Sequence, residues 1–334
     1  MKNIYAFPAL VIIFFMFLFP LAAQTETGKN VLSISPLGGI LWGQGTEIVY
    51  HEEPPRNNSA YLSELLWDYK PLFFLGLELD YSPKFPWLFN GLYSSLSIKI
   101  GLPFKTGYLE DRDWLANNKD YLTHFSTHDA YSDSTFSACL TLGYSLALFD
   151  HFWLRPYLEF SFMRFSWKSK DGYWQYGTYT GDLYTEDYDP WNPDIAKKIH
   201  SGPAIDYYQN WRTYSRGIAF GFGLANRFSI MAFASWTPII YADCRDDHLG
   251  ESKTNTYIDL LEGGSYTKLG AVMEFYISRR IALTYSFEFM KLKGAKGDDY
   301  LSISGSSFFL TGNRAGGGFS FSGITLSARF FLEK

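Results

Sequence analysis

The sequence predicts an all-β fold, a ten-stranded antiparallel transmembrane β-barrel with long extracellular loops. Three observations predict it. From Val31 onward, apolar and polar residues alternate in runs of about ten residues, which is typical of barrel strands with one face toward lipid. Aromatic residues make up 19% of the chain, which is unusually rich for a soluble domain. Short turns and long polar stretches also follow one another along the chain, as in outer-membrane barrels.

The N-terminus is predicted to be a signal peptide of residues 1–23, so that the mature barrel comprises residues 24–334. Lys2 precedes an apolar core that runs from Ala9 to Leu21, and small residues then offer a cleavage site. A retained membrane anchor is the alternative, but the apolar run is short for a helix that spans a bilayer. We therefore expect the mature chain to cross an inner membrane.

The alternation is clearest in six runs, at residues 73–81, 92–102, 138–148, 218–224, 283–290 and 324–330. One face of these runs is large and apolar, whereas the other carries Glu, Lys, Arg and Gly. A soluble sandwich also alternates, but it does not need one face so uniformly large and aromatic. Closure into a barrel also pairs the backbone N–H and C=O groups of every strand edge, which lipid could not satisfy with hydrogen bonds. The pattern therefore favours a membrane barrel.

The connections give the strand count. Turn residues near 82–83, 149–151, 226–227 and 278–280 predict four short connections, and polar stretches near 51–60, 108–132, 168–206, 243–265 and 292–317 predict five long ones. Nine connections join ten strands. If the N-terminus is periplasmic, the third and seventh strands both run toward the outside. Each is followed by an acidic motif, which we expect in a polar loop just beyond the strand.

These two motifs carry the predicted chemistry. Asp111 and Asp113 are two residues apart, as are Asp246 and His248. In extended backbone this spacing places both members of a pair on one face. Two carboxylates that face a carboxylate–histidine pair can hold and deprotonate a water molecule. Close carboxylates raise one another's pKa, and a carboxylate beside a histidine favours the imidazolium.

At these residues the chain resembles the omptin family, bacterial outer-membrane endopeptidases built as ten-stranded barrels. The resemblance runs from roughly Val31 to Phe331. Four motifs stand in the family's order: Glu-x-Val-Tyr from Glu47, Asp-x-Asp-Trp from Asp111, Ser-x-His from Ser126 and Asp-x-His from Asp246.

The resemblance implies an aspartic-type endopeptidase of the outer membrane that cleaves near basic residues, with its active site facing outside. It implies that Asp111 and His248 hold the attacking water, that Asp246 orients His248, and that Asp113 completes the carboxylate pair. His248 would then be the general base, with water rather than serine as the nucleophile.

The resemblance also implies a substrate-binding set of Glu47, Ser126, His128 and Cys244. The family has an acid at the position of Cys244, so the first subsite is expected to keep half of its negative charge. We therefore predict a relaxed preference for basic residues, unless a bulge brings Asp243 into that role. Ser126 and His128 have an alternative role as caps of a loop turn.

Omptins bind lipopolysaccharide through outward basic residues, and the resemblance implies this role for Arg164 and, more loosely, Arg212. Arg164 shares parity with Phe160 and Phe162, so it is expected on the lipid side. Lipopolysaccharide is a candidate activator. No other cofactor is predicted, and no metal, because no His-Glu-x-x-His motif or cysteine cluster accompanies the Asp and His residues.

The expected partners are a peptide or protein substrate and outer-membrane lipid, and the chain is expected to be a monomer. The net charge of -5 argues against nucleic acid. Cys139 and Cys244 form one disulfide or none. The rival hypothesis is a non-catalytic barrel that serves as an adhesin or a narrow pore. Only an enzyme needs Asp111, Asp113, Asp246 and His248 to converge.

Overall fold

The computed structural model describes residues 31–51, 61–83, 91–116, 120–149, 151–181, 187–224, 227–249 and 254–333. These residues form fifteen β-strands of one sheet. The predicted signal peptide lies outside the described residues and stays a prediction. Within the described ranges, no helix is long and apolar enough to cross a membrane.

The strands follow the runs of alternating residues, but most of them extend well beyond those runs. They are β1 (Val31–Tyr50), β2 (Tyr61–Ser82), β3 (Leu92–Gly101), β4 (Lys105–Asp113), β5 (His124–Ser132), β6 (Phe136–Tyr144), β7 (Leu146–Phe149), β8 (Phe152–Tyr176), β9 (Lys198–Leu224), β10 (Phe228–Thr237), β11 (Ile240–His248), β12 (Asn255–Glu262), β13 (Ser265–Ser278), β14 (Ile281–Ile303) and β15 (Phe309–Glu333).

The ring consists of ten staves, where a stave is one barrel strand that is either continuous or made of shorter strands in line. This count confirms the predicted barrel. Six staves are single strands, and four consist of strands in line with short breaks: β3 with β4, β6 and β7 with β5, β10 with β11, and β12 with β13. Every pairing is antiparallel, and β1 pairs with β15 to close the ring. Closure satisfies the backbone of every stave without leaving an edge in lipid.

One end of the barrel holds the short connections. Strands end at Ser82, Phe149, Leu224 and Ser278, as the turn residues predict, although Asp150 and Asn226 themselves lie outside the described residues. Outer-membrane barrels have their short turns on the periplasmic side. The opposite end, where β4 and β11 finish, is therefore extracellular.

A band of exposed apolar side chains surrounds the ring and marks the membrane-spanning segments. It includes Phe73, Leu75, Leu77, Ile98, Ile100, Leu140, Leu142, Ile218, Phe220, Leu269, Leu283 and Leu326.

Above this band the wall continues as strand, which corrects the predicted position of the two motifs. The polar stretches at 108–132 and 243–265 consist largely of β4, β5, β11 and β12, so the motifs lie within strands and not in loops. Polar residues occur on the outer face of this region because the outer face no longer contacts lipid there. The alternation of apolar with polar residues is therefore lost, although the ladder of hydrogen bonds continues.

A layer of aromatic side chains fills the barrel below its extracellular end. Trp67 stacks on Tyr207 with ring centroids 5.4 Å apart, and Tyr69 stacks on Trp167 at 4.6 Å. All four are almost completely buried. Gly45 lets β1 approach this layer, because a Cβ there would lie 2.6 Å from the Trp167 ring. The layer forms a floor beneath the extracellular cavity.

Below the floor, the acidic side chains of the lumen pair with basic ones. Glu159 lies 2.5 Å from the ammonium of Lys268, and Glu288 lies 2.7 Å from that of Lys99. Arg329 contacts Glu274 at 2.8 Å. Buried carboxylates are costly unless a cation compensates them. The lower lumen therefore follows the ordinary rule for buried charge, and it provides a reference for the cavity above.

Candidate active site

The two predicted motifs lie on the third and seventh staves. Asp111 and Asp113 are on β4, and Asp246 and His248 are on β11. On β11 the burial alternates so that Asp246 is buried while Asp247 is more exposed. Both pairs occupy inward-facing positions of their strands. The four side chains consequently face the cavity above the aromatic floor.

His248 and Asp246 form a tight pair. His248 Nε2 lies 2.7 Å from Asp246 Oδ2, and the Asp246 residue is only 3% exposed. The imidazole also makes an edge contact with the Tyr257 ring at 5.3 Å. With Nε2–H donating to the carboxylate, the imidazole presents Nδ1 as its proton acceptor. This arrangement suits a general base.

Asp111 and Asp113 form the opposing carboxylate pair. Burial raises the pKa of Asp111 well above its ordinary value, and the charges of Asp113 and Asp246 add to this rise, while His248 opposes it. Burial likewise raises the pKa of Asp113 to about 6, against a hydrogen bond from Ser63 and the charge of His248. All four predicted catalytic residues therefore lie close enough to form one electrostatic cluster, because Asp113, Asp246 and His248 all act on the pKa of Asp111. The carboxyl pair therefore holds a proton to higher pH than an isolated aspartate does.

Ser126 and His128 line the same cavity from β5. Ser126 is in register with Asp111, and its Oγ lies 3.5 Å from Asp111 Oδ2, at the limit of a hydrogen bond. His128 Nδ1 lies 2.5 Å from the carbonyl oxygen of Asp171, and burial lowers the pKa of His128. Both residues lie within a strand, so the alternative that they cap a loop turn is wrong.

Glu47 and Cys244 are both buried and face inward. Glu47 is 3% exposed, and its Oε2 has no hydrogen-bond partner among the described residues. Cys244 is 1% exposed. The register of β11 with both of its neighbours is continuous, so no bulge turns Asp243 inward. Asp243 instead binds Arg212 on the outer wall, at 2.7 Å.

Two further inward-facing acidic residues were not predicted from the sequence. Asp259 on β12 is in register with Cys244, and Asp299 on β14 is in register with Asp259. Both are at most 3% exposed. Their pairing could not be derived from the sequence, because both lie in stretches predicted as loops. The only signal is that apolar Ile258 and Leu260 flank Asp259, as expected for an inward polar residue of a barrel strand.

The two predicted lipid-binding arginines occupy outward-facing positions of β8 and β9. Arg164 Nε lies 3.2 Å from Ser134 Oγ and its Nη1 lies 3.4 Å from Asn210 Oδ1, while its guanidinium lies 4.0 Å from the centre of the Tyr208 ring. These partners are neutral. Arg212 differs, because it pairs with Asp243.

Among the residues that the structure describes, no group of three or more His, Cys, Asp or Glu side chains is arranged to hold a metal ion. Cys139 and Cys244 are both free thiols, so the two cysteines do not pair.

Comparisons with known proteins agree with this arrangement. A sequence model of the omptin family matches residues 28–330. The chain is 22% identical over 324 residues to a plasminogen activator of Yersinia pestis, with 88% of this chain and 89% of the relative covered. Its fold is similar to the crystal structure of the outer membrane protease OmpT of Escherichia coli, with a TM-score of 0.75, 17% identity, and coverage of 93% of this chain and 99% of that one. Because the family model spans most of the chain, the protein is an outer-membrane protease that belongs to the omptin family.

Proposed function

We propose that the protein is an endopeptidase of aspartic type that activates a water molecule between the Asp246–His248 pair and the Asp111–Asp113 pair. The observation that carries this proposal is the 2.7 Å contact between His248 and Asp246, set within the electrostatic cluster that includes both other carboxyls. A buried carboxylate fixes the imidazole orientation and stabilises the imidazolium that forms when His248 takes a proton from water.

The two carboxyls of β4 have complementary tasks in this mechanism. The ionised carboxyl accepts a hydrogen bond from the attacking water and helps to align it. The protonated carboxyl donates a hydrogen bond to the carbonyl oxygen of the substrate, where negative charge develops in the transition state. His248 then returns its proton to the leaving amine. The desolvation that raises the pKa of Asp111 and Asp113 is what keeps one proton on the pair.

The structure gives less support to the rival functions. A pore requires an open lumen, whereas Trp67, Tyr69, Trp167 and Tyr207 pack into a continuous floor. An adhesin has no need for four acid–base groups within one cluster. The proposed substrate is a peptide or protein with a basic residue before the scissile bond, as the family resemblance implies and as the acidic character of the cavity supports.

Cleavage of a peptide library by the refolded protein tests this proposal. The protein should cleave peptides after basic residues, and Asp111→Asn should abolish cleavage because an amide at this position can neither share a proton with Asp113 nor act as a carboxylate toward the attacking water. Glu110→Gln is the matched control, since Glu110 points outward and pairs with Arg112 at 2.5 Å. Loss of activity in both variants, or in neither, would count against the assignment.

Lipopolysaccharide remains the proposed lipid partner and activator. Arg164 suits a lipid phosphate because its hydrogen-bond partners are neutral, so its charge is not compensated there. Arg212 is less suitable, since Asp243 already balances its charge.

A further inference from the structure

A row of side chains crosses three adjacent staves at the level just below His248. Cys244, Asp259 and Asp299 are partners in consecutive strand registers, so their side chains stand next to one another on the inner face. Burial raises the pKa of Asp259 well above its ordinary value, and the neighbouring charge of Asp299 raises it further. Glu47 completes the group from β1. We call Glu47, Asp259 and Asp299 the acidic pocket.

The acidic pocket is buried without compensating charge. Each of its three residues is at most 3% exposed. Within the described residues, Glu47 Oε2 and Asp299 Oδ1 are buried and have no hydrogen-bond partner. Unpaired buried carboxyl oxygens cost free energy, and folded proteins rarely keep them without a role. Thr311 holds the other oxygen of Asp299, at 2.8 Å, which leaves Oδ1 for a ligand.

The lower lumen shows that this barrel can neutralise its buried acids. Glu159, Glu288 and Glu274 each have a lysine or arginine partner. No such partner contacts the acidic pocket in the part of the chain that the structure describes. Burial raises the pKa of Glu47, and the charges of Asp246, Asp259, Asp299 and Asp111 raise it further. The pocket therefore has no cation of its own among these residues, and a bound cation would compensate its carboxyl groups.

The position of the pocket suits the side chain of a bound peptide. Cys244 precedes Asp246 by two residues on the same face, which places it about 7 Å further down the strand. That distance is comparable with the four-carbon stem of lysine. Leu261 and Tyr207, which are buried, provide apolar surface for such a stem.

We propose that Asp259 and Asp299, together with Glu47, form the first subsite and bind the cationic side chain of the residue before the scissile bond. This inference rests on the proposed function. It differs from the relaxed preference predicted from Cys244 alone, because Asp259 supplies on the neighbouring strand the charge that position 244 lacks. The protein should therefore keep a strong preference for lysine or arginine over neutral residues of similar size.

Matched peptides that differ only at this residue, with Arg, Lys, Gln or Met, test the inference in the refolded full-length mature chain. Asp259→Asn and Asp299→Asn should each lower kcat/KM for the Arg and Lys peptides by about 10- to 100-fold, as expected for loss of a charge-assisted hydrogen bond. They should lower cleavage of the Gln and Met peptides much less, so that the ratio of Arg to Gln cleavage falls. Asp298→Asn, which changes the exposed neighbour of Asp299 on β14, should keep the wild-type ratio.

The outcomes separate the two proposals. If Asp259→Asn and Asp299→Asn keep the wild-type ratio of Arg to Gln cleavage, the subsite assignment is wrong while the peptidase assignment stands. If the wild-type protein cleaves none of the peptides, the proposed function fails, and the subsite fails with it. A measurement on the wild type alone avoids any folding defect: butylguanidinium should inhibit cleavage, and neutral butylurea should not. Equal inhibition by the two compounds overturns the inference.

Discussion

The Asp246–His248 pair allows the sharpest test of the mechanism by a single substitution. Asp246→Asn keeps the shape of the side chain but removes its charge. Asp246 is 3% exposed and lies 2.7 Å from His248 Nε2, so it makes a charge-assisted hydrogen bond in a site with little water. Such a bond contributes about 1.5–3 kcal/mol, or roughly 10- to 100-fold in rate.

The amide brings a second penalty. Its NH₂ group can donate to Nε2, which favours the tautomer that carries the proton on Nδ1, and that tautomer cannot accept a proton from water there. In a serine protease the equivalent change costs about 10⁴ in kcat, according to the general behaviour of triads. We therefore expect Asp246→Asn to lower kcat by about 10²- to 10⁴-fold.

The assay is cleavage of a fluorogenic Arg-containing peptide, with heat-resistant electrophoretic migration as the check that the barrel is folded. Asp247→Asn is the control, because Asp247 lies one residue away on the outer face and pairs with Arg245 at 2.8 Å. That variant should cleave at nearly the wild-type rate. Equal kcat values for Asp246→Asn and Asp247→Asn would refute the role given to Asp246.

Three further predictions follow from the site and its surroundings. Because the folded pKa of Asp113 is raised from 3.8 to about 6, its stabilising effect is complete below pH ~3.8 and is lost as the pH rises through 6; the temperature at which the barrel loses heat-resistant migration should fall between pH 5 and pH 7, and this fall should be smaller in Asp113→Asn. Ser126→Ala removes only a 3.5 Å contact, so kcat/KM should fall by no more than about threefold, and a loss like that of Asp246→Asn would show a larger role for Ser126. Arg164→Glu should weaken lipopolysaccharide binding and activation without altering migration, whereas Arg212→Gln should have a smaller effect because Asp243 already pairs with Arg212; equal effects would contradict this ranking.

The sequence allowed the ring to be predicted wherever lipid imposes an apolar face. The runs around Leu75, Leu140 and Leu283 alternate because one side of each strand meets hydrocarbon, and all three lie in strands of the ring. Above the membrane this constraint ends, and the strands that carry Asp111 and Asp246 there resembled loops in the sequence. The motif spacing was informative in spite of this, since residues two apart share a face both in a strand and in an extended loop.

The acidic pocket could not be predicted for a different reason. Its members come from β1, β12 and β14, and their proximity depends on the register of strands that are distant along the chain. A shift of one residue would turn Asp259 outward. The sequence showed the substitution at Cys244, but the pairing of Cys244 with Asp259 is a property of the folded sheet.

The most direct test of the central claim is the cleavage rate of His248→Ala, because His248 is the proposed base that removes the proton from water. Refolded His248→Ala should migrate as a folded barrel and should cleave a basic peptide at least about 1,000-fold more slowly than the wild type. His151→Ala, which changes a histidine in the turn between β7 and β8 at the other end of the barrel, should retain wild-type activity. A folded His248→Ala variant that cleaves as fast as His151→Ala would contradict the mechanism.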